Sequence, residues 1–326
     1  MSFRPVEVLF APSALCNLSC AHCAGEHYPR ALAVGDSVRF LNRCAEAGIR
    51  KLGFTGGEPF LQVKFLCALS KAAVKLGLKF DRIMTNGVWW KTKEDLSASL
   101  FLLKNSGFDG SFCVSVDAFH RQGMSKVASF IRSAVEIWSR PDVVSIASVT
   151  GSAEAGTVKK LSSLARELGG RLTDFSGSHP RISSAGIFVK IIKIDLSPVG
   201  AARALKDPWD GKWFKEDRCK GPGNVFFVTP SGDVKPCCGY ATDSTRLTIG
   251  NIRRDSPASI MRRLSRNRVV STIWNSGLSS VRKRLERSGF IFPGKTSNHC
   301  FFCHYILNEI PFRKLRAVLD KGNEDR

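Results

Sequence analysis

Residues 16–23 read Cys16-Asn17-Leu18-Ser19-Cys20-Ala21-His22-Cys23 and follow directly on an apolar, strand-forming run, Val6–Pro12. Three cysteines on one short loop supply three thiolates, the ligand type that suits an iron–sulfur cluster or zinc. A [4Fe–4S] cluster held by three protein ligands keeps its fourth iron open to a small molecule. A structural zinc site takes four ligands. His22 is the local candidate for the fourth, although its place between Cys20 and Cys23 makes joint ligation awkward. The loop by itself leaves cluster and zinc both open.

Outward from this loop, short β-branched or apolar runs alternate with helical patterns, which predicts repeated βα units around a parallel sheet. Six strands are expected, at Val6–Pro12, Lys51–Thr55, Phe80–Met84, Ser111–Val116, Val143–Val149 and Ile187–Ile194. Helices are expected near Val38–Ala47, Val63–Leu76, Lys93–Asn105, Ser125–Ser139 and Ala155–Leu168. Phe65, Leu66, Leu69, Ala73 and Leu76 show the helical spacing of a buried face. The βα pattern ends near Ala204, and the Trp- and Lys-rich stretch Asp207–Arg218 reads as a connection. Beyond Cys219 the pattern becomes a hairpin (Val225–Thr229, a turn at Pro230–Asp233, Val234–Pro236) and then basic helices. Two domains are therefore expected, 1–205 and 206–326.

The C-x3-C-x2-C spacing after a first strand resembles the defining motif of the radical S-adenosylmethionine (SAM) superfamily. Thr55-Gly56-Gly57-Glu58-Pro59 follows the second strand and resembles that family's Gly-Gly-Glu-Pro element. Thr85-Asn86-Gly87 ends the third strand, Ser115-Val116-Asp117 ends the fourth, and Ser197-Pro198-Val199-Gly200 follows the sixth. All sit at C-terminal strand ends, where α/β barrels build their sites. The resemblance implies a partial (β/α)6 TIM-like barrel and a [4Fe–4S] cluster on Cys16, Cys20 and Cys23. It also implies SAM contacts from Gly56, Gly57, Glu58, Pro59, Asn86, Ser115 and Asp117. Glycines let backbone approach a ligand closely, and the Glu58 carboxylate would meet the SAM ammonium.

Cys219, Gly232 and Cys237 are spaced C-x12-G-x4-C, and Cys300 and Cys303 close the set as C-F-F-C. This pattern, with Gly250-Asn251-Ile252 between, resembles the auxiliary-cluster module called twitch, a shortened relative of the SPASM domain. The resemblance implies a second [4Fe–4S] cluster on Cys219, Cys237, Cys300 and Cys303. Four thiolates at these spacings also suit zinc. Cys238, next to Cys237, is a candidate hydrogen-atom donor, as cysteines are in radical SAM epimerases, or a structural thiol. His120, just past Asp117, is a candidate substrate contact. Cys44, Cys67 and Cys113 are expected to pack in the interior. Trp89 and Trp90 line the barrel mouth or cover it.

Eleven cysteines in a chain without a signal-peptide pattern fit ligation better than disulfides, and a cytoplasmic location is expected. No apolar run reaches the roughly 18 residues of a membrane span. The balance of 49 Lys+Arg against 28 Asp+Glu gives +21. Such charge attracts nucleic acid, an acidic peptide, a phosphorylated metabolite or a membrane surface, or serves only as a solubilising basic surface, and charge alone does not choose. Ten Arg or Lys against Asp255 and Glu286 lie between Arg253 and Arg287, either a solvated face or a docking surface for an acidic substrate or leader. The resemblance implies reductive SAM cleavage and hydrogen abstraction from an unactivated carbon, with a flavodoxin or ferredoxin as reductant. The substrate is expected to be a ribosomal peptide, oxidised or crosslinked, or a small hydroxylated metabolite, dehydrogenated. A redox-neutral epimerisation is the alternative. With the first strand near residue 6, no room is expected for an N-terminal leader-binding domain. A basic, nucleic-acid-binding iron–sulfur or zinc protein is the non-enzymatic alternative.

Overall fold

The computed structural model describes residues 3–25, 28–151, 153–215 and 223–321. Its first two-thirds hold β1 (Glu7–Phe10), β2 (Lys51–Phe54), β3 (Lys79–Thr85), β4 (Ser111–Ser115), β5 (Val144–Thr150), β6 (Arg171–Thr173), β7 (Arg181–Ser184) and β8 (Ile187–Asp195). Strands β1 to β5 pair parallel in chain order, and β8 adds parallel to β5. These are the six strands that the sequence pattern predicts. The helices α1 (Val34–Glu46), α2 (Val63–Lys75), α3 (Lys93–Asn105), α4 (Met124–Trp138) and α5 (Glu154–Glu167) fall between successive strands. The result is an α/β partial barrel.

The antiparallel hairpin β6–β7, which the sequence reading misses, continues the sheet past β8. At the other side, β9 (Val225–Val228) lies parallel to β1, with Glu7 opposite Val225 and Phe10 opposite Val228. Antiparallel β10 (Asp233–Lys235) and β11 (Gly250–Asn251) follow, giving one 11-stranded sheet. The C-terminal segment thus continues the sheet of the barrel. It finishes with α6 (Pro257–Arg266), α7 (Arg268–Arg287, kinked at Gly277), α8 (His299–Asn308) and α9 (Phe312–Lys321).

Burial follows the periodicities. Helix α1 buries Ser37, Phe40, Leu41 and Cys44, one stripe at helical spacing, and α4 buries Val127, Ala128, Phe130, Ile131, Ala134 and Trp138. Thr92 starts α3 with a capping box, accepting from the Asp95 N–H while Asp95 accepts from the Thr92 N–H. Phe112 of β4 meets Phe130 and Trp138 edge to face, at 5.5 and 5.0 Å between centroids. Each such ring contributes about 1.5–3 kcal/mol by burial. Trp138 keeps its indole N–H satisfied on the Phe108 carbonyl at 2.9 Å. This packing fixes the strand ends from which the candidate site projects.

Candidate functional site

The cysteine loop leaves the end of β1 and is clamped by the segment after β2. The Gly57 N–H donates to the Ser13 carbonyl at 3.1 Å and the Glu58 N–H to the Leu15 carbonyl at 2.8 Å. A Cβ on Gly57 would sit 2.1 Å from the Leu15 oxygen, so no other residue fits without moving the loop. Gly56 has φ +128°, a conformation that L side chains rarely adopt. In this structure the glycine pair therefore sets the position of the residues immediately before Cys16.

Glu58 is 1% exposed, and its carboxylate is taken up internally. It accepts from the Thr85 hydroxyl at 2.8 Å and from the N–H groups of Asn86 at 2.7 Å and Phe60 at 3.1 Å. Burial pushes its carboxyl up to about 7 against the pull of those three donors. Asn86, so held, donates to Asn17 at 2.8 Å and to the Cys16 sulfur at 3.8 Å, and the Leu18 N–H points at the same sulfur at 3.4 Å. Glu58 thus reaches Cys16 through Asn86. Pro59 is buried and opens a 3-10 turn, Pro59–Gln62. Trp90 is buried with its N–H on the Gly87 carbonyl, and Trp89 stacks on Phe60 at 4.5 Å. Both tryptophans are cover.

The three thiols of this loop are half-buried. Burial pushes Cys20 up to about 12, with the thiolate charges of Cys16 and Cys23 and the carboxylate of Asp117 adding to it. Three thiolates so crowded call for a multivalent cationic partner. The donor set fits an iron–sulfur cluster with one open position, since His22 turns elsewhere.

His22 packs against His120, with ring centroids 4.7 Å apart. Together with Asp117 they form a group whose ligand atoms lie within 4.8 Å of one another. Asp117 is fully buried. One of its oxygens accepts from the His120 ring Nδ1 at 2.8 Å and the Phe119 N–H at 2.9 Å, the other from the Val149 N–H at 3.2 Å. Burial pushes its carboxyl up, but His120, His22 and the Val149 N–H outweigh that, and it stays below the usual carboxylate range. Burial also lowers His22, whose Nδ1 has no hydrogen-bond partner among the described residues. The sequence reading finds Asp117 and His120 but not His22 as their neighbour, because about a hundred residues separate them. Ser115 is half-buried at the end of β4, and Cys113 is 1% exposed within it.

The second cysteine set is assembled from distant segments. Cys237 is half-buried just after β10, Cys238 beside it is exposed, and Cys300 and Cys303 lie three apart in the first turns of α8. A Cβ on Gly239 would stand 3.7 Å from the Cys300 sulfur and 4.0 Å from that of Cys237, so the two segments meet there. Cys219 lies outside the described residues. Asn298 caps α8 by accepting from the Phe301 N–H and donates to Ser197 of the turn after β8 at 2.8 Å. That turn in turn touches the first loop, where the Ala201 N–H donates to the Cys23 carbonyl at 3.0 Å.

A cavity of about 280 Å³ lies where these segments converge, lined among others by Cys20, Cys23, Gly200, Tyr240 and Asp243. Asp243 is fixed by the His304 Nε2 at 2.9 Å and the Asn308 amide at 3.3 Å. Burial and the negative charge at Cys300 raise the Tyr240 phenol. Tyr240 and Asp243 escape a sequence reading because nothing local marks them. Among the described residues no helix is long and apolar enough to cross a membrane.

Comparison with known proteins matches residues 219–288 to the SPASM family, described as an iron–sulfur cluster-binding domain. The chain is 25% identical over 307 residues to the putative peptide biosynthesis protein YydG of Bacillus subtilis, covering 90% of this chain and 89% of that one. It is 31% identical over 123 residues to the GTP 3',8-cyclase of Chlorobaculum tepidum, 37% of this chain and 35% of the enzyme. Its fold is similar to that of histidine-tagged anSMEcpe with bound AdoMet, with TM-score 0.55 and 16% identity over 98% of this chain and 100% of that one.

Proposed function

We propose that this chain, which is a radical SAM protein with a C-terminal SPASM-type iron–sulfur domain, is an enzyme that modifies a ribosomal peptide. Its cofactors are [4Fe–4S] clusters and SAM. The single observation that carries the peptide reading is the similarity to a peptide biosynthesis protein along nine-tenths of the chain, which favours a peptide over a small hydroxylated metabolite. Cys16, Cys20 and Cys23 are assigned to the SAM-binding cluster, and Cys219, Cys237, Cys300 and Cys303 to the auxiliary one. The first cluster, when bound, supplies the electron that cleaves SAM and yields a 5'-deoxyadenosyl radical able to take hydrogen from an unactivated carbon; a reduced flavodoxin or ferredoxin is the proposed donor.

The chain's own residues have separable tasks in this reading. The backbone strip Gly56–Pro59 and the residues Asn86, Ser115 and Asp117 edge the SAM site. Glu58 acts as a positioning residue, holding Asn86 and through it the Cys16 sulfur. Asp117 orients the His120 ring through its Nδ1 at 2.8 Å. The cavity beside Cys20 and Cys23 receives the reacting residue and keeps it dry.

Loss of a proton to solvent and of an electron from the substrate radical would give a net two-electron oxidation or a crosslink; the auxiliary cluster that Cys219, Cys237, Cys300 and Cys303 would hold is the proposed one-electron acceptor. A second reading rests on Cys238, exposed next to half-buried Cys237 on the segment that leads to Tyr240. Its S–H bond would break to return a hydrogen atom, giving epimerisation and a thiyl radical to be reduced again. The test is a reaction in D2O with SAM, dithionite and a short peptide encoded beside the gene. A product about 2 Da lighter supports oxidation. A product carrying one deuterium, absent with Cys238→Ala, supports epimerisation. Formation of 5'-deoxyadenosine with no peptide product would remove the peptide reading.

A further inference from the structure

A second cavity, about 330 Å³, opens in the C-terminal helical layer and is lined by none of the described cysteines. Four arginines line it: Arg246, Arg266 and Arg268 from around the start of α7, and Arg316 from α9. Its apolar wall includes Phe312, 47% exposed, and the buried Val269 and Leu319. Arg246 is held on that wall, with its guanidinium 5.4 Å from the Phe312 ring centroid and one N–H on the Ile310 carbonyl at 2.7 Å. Asn267 caps α7 by accepting from the Val270 N–H at 3.1 Å. The cavity therefore faces the positive end of the first segment of α7, which runs from Arg268 to the break at Gly277.

We infer that this arginine cavity docks an acidic segment of the peptide substrate, flanking the residue that reacts. The inference rests on the peptide reading above. The molecule already shows the chemistry in miniature: the Asp320 carboxylate bridges Arg268 at 2.5 Å and Arg316 at 3.5 Å. Both arginines are more than half exposed, so this internal pairing is weak and open to exchange. Exchange of one carboxylate for another, with Arg246 and Arg266 added, makes a net-cationic pocket. The apolar wall selects a peptide carrying both acids and aliphatic side chains over a bare anion. Continuity also supports it. One short stretch gives Tyr240 and Asp243 to the cavity beside the cysteine loop and Arg246 to this one. That stretch is pinned to α8 by the Ser244 hydroxyl on the Leu307 carbonyl at 3.4 Å. A single extended peptide reaching from one cavity to the other would place its flank and its reacting residue together.

Fluorescence anisotropy of the cluster-loaded protein tests this, with a fluorescein-labelled peptide of repeated Glu-Glu-Leu-Ala as probe and its Lys-Lys-Leu-Ala counterpart as control. The acidic probe alone should bind. Arg266→Glu, an exposed position, should weaken it about tenfold, as loss of a charge-assisted contact does. Arg287→Glu, the same charge change at the far end of α7, should change it less than about twofold. Asp320→Asn releases Arg268 and Arg316 and should tighten binding severalfold, a gain that misfolding cannot imitate. Equal weakening by Arg266→Glu and Arg287→Glu would reduce the effect to net charge and overturn the site. So would displacement of the probe by inorganic phosphate at ionic strength where chloride does nothing, which would make the cavity a phosphate site. Because the probe reports no chemistry, the two readings fail separately. A probe bound as stated with no peptide ever modified removes the reaction, and a peptide modified without any Arg266 dependence removes the docking site.

Discussion

In the reading proposed above, the cysteine loop at residues 16–23 and the cysteines at 237–303 meet the same ligation task with opposite construction. The first set lies within eight consecutive residues, and its position comes from backbone: Gly57 and Glu58 hydrogen-bonded to Ser13 and Leu15, Asn86 and Leu18 on the Cys16 sulfur. The second set joins a post-hairpin loop to a helix start more than sixty residues later, with Cys237 and Cys300 both beside Gly239. A loop held by the barrel can leave one coordination position open and still stay in place. A set that bridges distant segments gains most from closed ligation, because closing a long loop restricts the unfolded chain. An open, reactive centre and a closed, tethering one therefore call for different supports.

The largest effects should come from deleting each set in turn. The Cys16→Ala/Cys20→Ala/Cys23→Ala triple variant should lose about four irons and all formation of 5'-deoxyadenosine, while keeping a second reducible [4Fe–4S] signal. The Cys300→Ala/Cys303→Ala variant should still cleave SAM but unfold at lower temperature and yield no peptide product. Iron analysis, paramagnetic resonance and product chromatography read both. Zinc in the triple variant, or full SAM cleavage without Cys16, Cys20 and Cys23, would refute the division of labour.

The same contrast explains what the sequence makes legible. Local patterns carry the six parallel strands, the five intervening helices and the Cys16–Cys23 loop, since each is written in residues a few positions apart. The β6–β7 hairpin escapes because Arg171–Thr173 and Arg181–Ser184 are short and polar, stable only through β8. The pairing of β9 with β1 escapes because both strands are four-residue runs that could add to any edge. Glu58 is legible as a site residue, yet its carboxylate faces Thr85 and Asn86, an orientation set by the turn after β3 and not by its motif. The grouping of His22 with Asp117 and His120 is tertiary by nature.

Gly57→Ala probes the backbone clamp directly. The added methyl would stand 2.1 Å from the Leu15 oxygen and 2.8 Å from that of Ala14, both main-chain atoms just before Cys16. Relief requires the loop to move, at a cost of about 3 kcal/mol for overpacking. SAM cleavage should fall well over tenfold as Cys16 shifts, whereas the auxiliary signal persists. Gly239→Ala provides the counterpart, since its nearest atoms are the Cys300 and Cys237 sulfurs at 3.7 and 4.0 Å, ordinary contact distances. It should leave SAM cleavage within about twofold. Equal damage from the two alanines, read as 5'-deoxyadenosine rate, would erase the distinction between a backbone clamp and a side-chain junction.

The smallest effect expected lies at the foot of β1, at the other end of that strand from the Cys16–Cys23 loop. Glu7 opens β1, the strand that leads into the first loop, and its carboxyl is pushed up to about 7 by burial and by Asp81, against Arg82 and Lys51. A carboxyl raised above its unfolded value is stabilising in its protonated form. That contribution is complete below the ordinary value of 4.5 and is lost as pH rises through about 7. Glu7→Gln removes the charge without removing the side chain, so the variant should melt higher than the parent at pH 8 by about 2 °C, with the gap closing toward pH 5. Glu58, raised for the same reason, stays in both proteins and keeps part of the slope. Because Glu7 stands at the foot of β1 and the Cys16–Cys23 loop follows its other end, SAM cleavage at pH 8 should be unchanged. A melting difference independent of pH would show that Glu7 acts through packing against Gly53 rather than through its proton. A change in SAM cleavage would show that strain at the foot of β1 reaches the loop at its head, and that the clamp by Gly57 does not isolate the cysteines from the strand that carries them.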